Sequence, residues 1–228
     1  MNYNIFLSGG GNSQETYGLD DLFLHVAGSR ILYVPVGLKR TFAGYDDCVT
    51  WFTDMVSKHN VEKKISVWID LKEKSTSIRH GNFDAIYIGG ASDTYRLHSL
   101  FKKNNFYPEL EKFIKDGGII YGGSGGATIL GRSINYDQQE KQLPTTVELS
   151  ANLCLGYSVF PHLSDNKFRL ISTSPDAKVI CMPEGSGVAI DTKNQQMKYL
   201  GKQNGIVISK KKTLAIKDGD LLKLDDSW

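Results

Sequence analysis

Residues 118–127 have the sequence GIIYGGSGGA, an apolar run that leads into a glycine-rich turn. Within it, Gly122, Ser124 and Gly126 form the pattern Gly-x-Ser-x-Gly. Between a strand and a helix, this pattern is typical of a sharp turn that exposes a nucleophilic serine, because the flanking glycines relieve crowding. The same residues also fit a plain connecting turn or a phosphate cradle. A dinucleotide fingerprint starting at Gly123 would need glycine where Thr128 stands, and no Walker sequence follows.

Outward from this turn, roughly the first 130 residues alternate short apolar runs with longer amphipathic stretches. Strands are predicted at residues 5–7, 30–35, 64–69, 85–88 and 119–121. Helices are predicted at residues 17–26, 46–58, 93–101 and 108–115. Strands that alternate with helices in this way indicate right-handed βαβ units and a parallel sheet, and continuous apolar strands indicate a sheet covered on both faces.

After residue 132 the helical periodicity fades and short alternating strands follow. They are predicted at residues 178–181, 187–191, 197–200, 205–209, 213–216 and 221–224. We expect them to extend the same sheet in the antiparallel sense. The predicted fold class is α/β, a mostly parallel sheet sandwiched by helices with antiparallel C-terminal strands, in one domain spanning residues 1–228.

Composition excludes several classes of protein. The 228 residues carry 27 basic and 25 acidic side chains, a net charge of +2, which argues against a nucleic-acid binder. Cys48, Cys154 and Cys181 are widely spaced, so neither a zinc site nor a disulfide framework is expected, and thiols fit a reducing compartment. No stretch reaches the ~20 apolar residues of a membrane helix, and residues 1–7 do not resemble a signal peptide. We therefore expect a cytoplasmic protein with no membrane partner.

A serine nucleophile needs a general base, and His162 is the strongest of five histidine candidates. It follows an apolar strand end, Val159-Phe160-Pro161, at the sheet edge where Ser124 is expected. The alternative is an ordinary loop histidine. The base needs an acidic partner, for which Asp137 and Glu184 are candidates, although either could be a plain turn residue. We favour Glu184, since it follows a predicted strand between Pro183 and Gly185.

Four blocks together resemble the dipeptidase E family of serine peptidases, peptidase family S51, which also includes the cyanophycinases. They are AIYIGGASDT at residues 85–94, IYGGSGGA at 120–127, FPH at 160–162 and MPEG at 182–185. They are similar to the family's apolar strand ending in Gly-Gly-Gly-Asn-Thr, its Gly-x-Ser-Ala-Gly-Ala turn, its Asn-Pro-His and its Leu-Pro-Glu-Gly. Their order and spacing match across about 100 residues.

The resemblance implies a flavodoxin-like sheet related to class I glutamine amidotransferases and a peptidase that needs no metal or organic cofactor. It implies Ser124 as nucleophile, His162 as base, and the amides of Gly125 and Gly90 as the oxyanion hole. It leaves the third catalytic residue open between Asp137 and Glu184. The expected partner is a small peptide substrate, and the expected assembly is a monomer or a homodimer.

Three departures from the family pattern bear on the substrate. Gly125 replaces the usual alanine, which we expect to loosen the turn, and Ala-Ser-Asp at residues 91–93 replaces Gly-Asn. Residues 163–170 contain only Lys167 and Arg169 as cations, and Arg169 is the candidate substrate-binding residue. The alternatives to a dipeptidase are a non-catalytic sensor that uses the same pocket and an amide hydrolase for a small non-peptide substrate.

Overall fold

The computed structural model describes residues 2–38, 44–72, 74–78, 81–135, 147–163, 168, 171, 178–209 and 212–224. Its strands are β1 (Ile5–Ser8), β2 (Arg30–Val34), β3 (Lys64–Val67), β4 (Ala85–Ile88), β5 (Ile119–Gly123), β6 (Ser158–Phe160), β7 (Val179–Cys181), β8 (Ser186–Asp191), β9 (Gln196–Gly201), β10 (Gly205–Ile208), β11 (Thr213–Ile216) and β12 (Leu221–Lys223). Its helices are α1 (Tyr17–Val26), α2 (Asp46–Ser57), α3 (Thr94–Lys103), α4 (Phe106–Lys115) and α5 (Gly125–Leu130), with a short 3-10 turn at Ser75–Ser77.

The larger sheet has the strand order β12-β9-β8-β1-β5-β4-β2-β3. Strands β1, β5, β4, β2 and β3 are parallel neighbours, whereas β8, β9 and β12 add to the β1 edge in the antiparallel sense. The predicted α/β class is confirmed, as are the parallel sheet and its antiparallel C-terminal extension.

Both faces of this sheet are buried at its inner strands β1, β2 and β4, which explains why those strands are continuously apolar. In β2, Ile31 and Tyr33 belong to the cluster under α1 and α2, and the Tyr33 ring stacks on Phe52 with centroids 4.3 Å apart. Leu32 and Val34 face the opposite way, into the cluster that contains α3, α4 and α5. Successive side chains of a strand point to opposite faces of the sheet, so one continuous apolar run packs against the helices on both sides.

The expectation that all C-terminal strands extend one sheet is wrong in part. Strands β6, β7, β10 and β11 form a separate four-stranded sheet in the order β11-β10-β7-β6. Strands β6 and β7 are apolar on both faces: Val159 and Ile180 join the main core, while Phe160 and Cys181 pack in a separate cluster with Ile171. Strands of this kind must be covered on both sides, so they form a layer of their own above the main core.

The position of β5 decides where the nucleophile candidate lies. This strand runs between β1 and β4, with Ser8 opposite Gly123 and Ile88 opposite Gly122. Ser124 therefore follows the carboxyl end of β5, between the loops that leave β1 and β4, where open α/β sheets bind ligands.

Within the described ranges, none of the helices has the length and apolar character needed to span a bilayer.

Candidate active site

Ser124 lies at a sharp turn between β5 and α5, with φ 50° and ψ −116°. This left-handed backbone is costly for a residue with a side chain, and such strain concentrates at functional sites. The flanking glycines are sterically required. A methyl group at Gly122 would lie 2.7 Å from the carbonyl oxygen of Gly126, and one at Gly126 would lie 2.6 Å from that of Ile88. The Gly-x-Ser-x-Gly pattern thus allows the turn to pack against β4.

Ser124, His162 and Glu184 form a continuous hydrogen-bonded chain. The Oγ of Ser124 lies 2.7 Å from Nε2 of His162, and the Nδ1 of His162 lies 2.7 Å from Oε1 of Glu184. A carboxylate at Nδ1 favours the tautomer with hydrogen on Nδ1, which leaves Nε2 able to accept the serine proton. These three candidates, far apart in sequence, meet in the geometry of a serine nucleophile with its base and acid.

The His162 ring is held by the loop after β1. The backbone amide of His162 donates to the carbonyl of Gly9 at 3.0 Å, and the residue has φ 51°. Gly10, with φ 96°, lies close against the ring, so that a methyl group there would collide with Cε1 and lie 2.9 Å from Nε2. The sequence analysis gave the glycines after β1 no role. A run of glycines directly after a strand that pairs with β5 is the signal that could have indicated their role beside His162.

The same loop also positions the backbone beside Glu184. The amide of Gly185 donates to the carbonyl of Gly10 at 2.9 Å. The side chain of Glu184 is 61 % exposed, whereas that of His162 is 21 % exposed. The acid is largely in solvent because it projects from a tight turn between β7 and β8. Solvent therefore screens its charge.

The two oxyanion-hole candidates lie next to Ser124. Gly125 begins α5 directly after the serine, and a methyl group on Gly90 would lie 3.4 Å from Cβ of Ser124. Among the described contacts, neither the Gly90 nor the Gly125 amide donates a hydrogen bond to a protein acceptor. The Gly90 and Gly125 amides are therefore available to stabilise a negatively charged oxygen that forms beside Oγ of Ser124. Asp93 is not part of this hole, since its carboxylate caps α3 by accepting from the amide of Arg96 at 2.9 Å.

A cavity of about 1000 Å³ opens in front of Ser124. Its walls come from the ends of β1, β4 and β5, the segment after β2 and the first turns of α2. This is within the range of sites that enclose small molecules. A second cavity of about 410 Å³ lies against the start of α1 and the end of β9, and its lining includes none of Ser124, His162 and Glu184.

A buried carboxyl lies beneath the floor of the larger cavity. Tyr121 and Thr16 line the cavity, and their hydroxyls donate to Asp20 at 2.7 Å and 2.6 Å. Burial raises the pKa of Asp20 from 3.8 to about 6, although these two hydrogen bonds and the nearby His59 each lower it. Nothing in the sequence distinguished this aspartate from Asp21, the other acidic residue of its helix.

Two candidates cannot be placed. Asp137 and Arg169 lie outside the described residues, so the structure gives no position for either one. Among the residues that it does describe, no group of three His, Cys, Asp or Glu side chains could hold a metal ion.

The family model of peptidase family S51 matches residues 5–200, which include Ser124, His162 and Glu184. This chain belongs to peptidase family S51. The S51 assignment makes the protein a peptidase, and thus a hydrolase, as the four sequence blocks indicated.

Named relatives of this S51 peptidase agree with the assignment. Peptidase E from Pasteurella multocida (strain Pm70) is 23 % identical over 217 residues, which cover 86 % of each chain. A crystal structure of a peptidase from an acI-B1 Actinobacterium has a TM-score of 0.72 at 14 % identity, covering 98 % of this chain and 97 % of that one. A Listeria monocytogenes EGD-e protein provisionally named Peptidase E has a TM-score of 0.56 at 17 % identity, over 93 % and 97 %. At these identities the structural likeness concerns the fold.

Proposed function

We propose that this S51 peptidase is a serine peptidase of the dipeptidase type, which hydrolyses short peptides with Ser124 as nucleophile. The observation that carries the proposal is the chain of two 2.7 Å contacts, from Ser124 Oγ to His162 Nε2 and from His162 Nδ1 to Glu184 Oε1. Such a chain gives an otherwise weak hydroxyl a general base with a fixed tautomer. The match to a relative named Peptidase E favours the same chemistry.

The acylation step follows from these positions. Ser124 Oγ attacks the peptide carbonyl carbon while Nε2 of His162 takes the hydroxyl proton. The carbonyl oxygen becomes an oxyanion, which the amides of Gly125 and Gly90 stabilise. His162 then returns the proton to the leaving amine as the C–N bond breaks, and an acyl-serine ester remains.

Deacylation uses the same groups in reverse. Water takes the place of the departed amine, His162 removes its proton, and the resulting hydroxide attacks the ester. The two amides again stabilise the oxyanion, and the serine oxygen leaves with the proton that His162 gives back. Glu184 takes no proton. It orients the ring and stabilises the imidazolium, weakly because solvent screens its exposed carboxylate.

The size of the site favours short substrates. A cavity of about 1000 Å³ encloses the region in front of Ser124, with walls from four chain segments and from α2. It has the volume of a small-molecule site.

The test is covalent labelling of Ser124 with a fluorophosphonate probe, followed by mass spectrometry of the peptide that carries residue 124. We expect wild-type protein to be labelled there, Ser124→Ala to lose the label, and His162→Ala to label at least 100-fold more slowly. Ser92→Ala is the matched control, because Ser92 is a second serine lining the same cavity. A panel of dipeptides then measures turnover. Labelling without dipeptide hydrolysis would favour the amide hydrolase, and absence of labelling would favour the sensor.

A further inference from the structure

Asp20 is a buried carboxyl beneath the active-site cavity, and the proposed catalytic steps do not use it. Its side chain and backbone together are 1 % exposed. Its two oxygens accept from two hydroxyls of the cavity lining, Oδ1 from Tyr121 at 2.7 Å and Oδ2 from Thr16 at 2.6 Å. Hydrogen bonds to a carboxylate are shorter and stronger than those between neutral groups. The ionised carboxylate therefore fixes both hydroxyls in one orientation.

The Tyr121 hydroxyl connects Asp20 to the ring of His162. Ser8 and Tyr121 project from neighbouring parallel strands on the same face of the sheet, and their hydroxyls are hydrogen-bonded. The Oγ of Ser8 in turn accepts from the amide of Gly10 at 3.1 Å. Gly10 lies against the His162 ring, where an added methyl group would collide with Cε1. Three hydrogen bonds thus lead from the buried carboxylate to the residue that packs on the proposed base.

The Thr16 hydroxyl connects the same carboxylate to the segment beside Glu184. Its Oγ1 lies 3.1 Å from the carbonyl of Asn12, a second acceptor for its hydrogen. The same segment carries Glu15, whose Oε2 accepts from the amide of Asn12 at 2.8 Å. A methyl group on Gly185 would lie 3.0 Å from Cβ of Glu15, so this segment packs directly against the residue after Glu184. The position of Thr16 therefore bears on the turn that presents the proposed acid.

Three neighbouring elements place titratable groups beside Asp20. Tyr121 of β5 and Tyr87 of β4 are buried, which raises the pKa of each well above its ordinary value and keeps both neutral. His59, after the end of α2, lowers the pKa of Asp20. Strands β1, β8 and β9 also pack on α1, and among their described residues no charged side chain contributes to that pKa. Burial has the largest effect, and it brings the pKa of Asp20 to about 6.

Protonation of Asp20 changes one of its two contacts. The ionised carboxylate accepts from both hydroxyls, whereas a protonated carboxyl carries a donor of its own. At Oδ2 that hydrogen is donated to Oγ1 of Thr16, whose own hydrogen then turns to the carbonyl of Asn12. The side-chain amide of Asp20→Asn presents the same donor, so this variant reproduces the protonated state at every pH.

We propose that ionised Asp20 is a positioning residue of this active site. Through the hydroxyls of Tyr121 and Thr16 it holds the two segments that pack against the proposed base and its acid. The proposal rests on the proposed function, because that pair is the one it positions. A buried charge lowers stability, so removal of the charge should reduce activity while the protein stays folded, which urea denaturation at pH 8 verifies.

The first experiment measures kcat/KM of wild type and Asp20→Asn on one hydrolysed dipeptide between pH 5 and pH 8. The wild type should exceed the variant about tenfold at pH 8 and agree with it within about twofold at pH 5, with the change centred near the pKa of about 6. Ionisations that both proteins share cancel in this ratio. A ratio that is constant with pH, or equal activities at pH 8, overturns the proposal.

The matched control is Asp21→Asn. Asp21 is the next residue of the same helix, and its partly exposed carboxylate contacts Nδ1 of His59 at 3.1 Å. Its loss removes one carboxylate close to Asp20 but none of the contacts to Tyr121 and Thr16. The ratio of wild type to this control should stay within about twofold at both pH values, and an effect equal to that of Asp20→Asn contradicts the assignment.

Two further variants assign the effect to the two hydroxyls. Tyr121→Phe should lower kcat/KM about threefold at pH 8, and Asp20→Asn added to it should cost about threefold more instead of tenfold, because one of its two routes is already gone. Thr16→Val should also lower kcat/KM about threefold, whereas Thr16→Ser, which keeps the hydroxyl, should restore it. A full tenfold loss added by Asp20→Asn, or equal losses in Thr16→Val and Thr16→Ser, contradicts this route.

A spectroscopic measurement separates this proposal from the proposed function. Proton NMR at pH 8 follows the Nδ1 hydrogen of His162, assigned by its absence from His162→Ala, and needs no turnover. Its exchange with water should be at least about fivefold faster in Asp20→Asn than in wild type, and unchanged in Asp21→Asn. If wild type hydrolyses no dipeptide but exchange responds in this way, the positioning role is correct and the peptidase mechanism is wrong. If wild type hydrolyses dipeptides and neither exchange nor the activity ratio responds, the mechanism stands and the positioning role fails.

Discussion

A methyl group on Gly125 would lie 2.9 Å from Cβ of Ala91 and 3.0 Å from Oγ1 of Thr94, so the glycine makes room for its neighbours beside the proposed oxyanion hole. Gly125 stands where the family motif has alanine, and Ala91 stands in the segment where it has Gly-Asn. The expectation that Gly125 loosens the turn is wrong, because Ala91 and Thr94 fill the space that an alanine side chain would take. The two departures compensate for each other.

This fit predicts a strong coupling between the two positions. Gly125→Ala alone should lower the free energy of unfolding by about 1–2 kcal/mol, because it overpacks the start of α5. Combined with Ala91→Gly, the loss should shrink by at least about 1 kcal/mol. Urea denaturation of the wild type, both single variants and the double variant gives the coupling energy. Strictly additive losses would show that the two residues do not compete for one space.

Ser124→Ala should abolish peptide hydrolysis and leave the fold intact. Loss of the nucleophile of a triad lowers turnover by about 10⁶-fold. Within the described part of the chain, the side chain makes one hydrogen bond, to His162, so the change in stability should stay within about 1 kcal/mol. Peptide turnover and the thermal midpoint are measured on the same preparation. Wild-type turnover in this variant would rule out Ser124 as the nucleophile.

Glu184→Gln should reduce kcat by roughly 10²–10³-fold, because the amide no longer enforces the tautomer of His162. The loss is smaller than the ~10⁴-fold for a buried aspartate, since the Glu184 side chain is 61 % exposed and its charge is screened. Asp137→Asn is the comparison variant, and it should be nearly silent. A large loss in Asp137→Asn with a small one in Glu184→Gln would transfer the acidic role to Asp137.

Gly10→Ala should inactivate the enzyme without touching Ser124. The added methyl group would collide with the His162 ring and displace Nε2 from the serine. Gly117→Ala is the matched control: Gly117 has φ 93° against 96° for Gly10, and a methyl group there meets nothing within 4 Å. Both variants should lose about 1 kcal/mol of stability through backbone strain. Only Gly10→Ala should lower kcat, by at least about 100-fold.

How far the sequence predicts this site depends on how local each determinant is. The strand-turn-helix around Ser124 follows from residues 118–127 alone, since apolar runs and required glycines are local signals. His162 and Glu184 could be nominated because each follows a strand end. Their meeting depends on the order of strands in space, and the sequence left Glu184 and Asp137 as alternatives.

The division of the C-terminal strands into two sheets was beyond the sequence. Short apolar strands such as β6 and β7 can pair with many partners, and their choice depends on which layer buries both faces. The burial of Asp20 also depends on contacts between residues that are distant in sequence. Its position in α1 is ordinary, and it is buried because Tyr121, 101 residues away, projects from β5 onto it.

Asp20 should make stability depend on pH. Its pKa is raised from 3.8 to about 6 in the folded protein, chiefly by burial, so the folded state binds a proton more tightly than the unfolded state. The stability that this proton contributes is fully present below pH ~3.8 and is lost as the pH rises through about 6. The free energy of unfolding of wild type minus that of Asp20→Asn should therefore fall by about 2 kcal/mol between pH 4 and pH 7. Subtracting the value for Asp20→Asn removes the contribution of the other carboxylates, which titrate in both proteins. Urea denaturation at both pH values measures the two free energies of unfolding. A difference that is constant with pH, or that rises, would mean that Asp20 is ionised throughout this range.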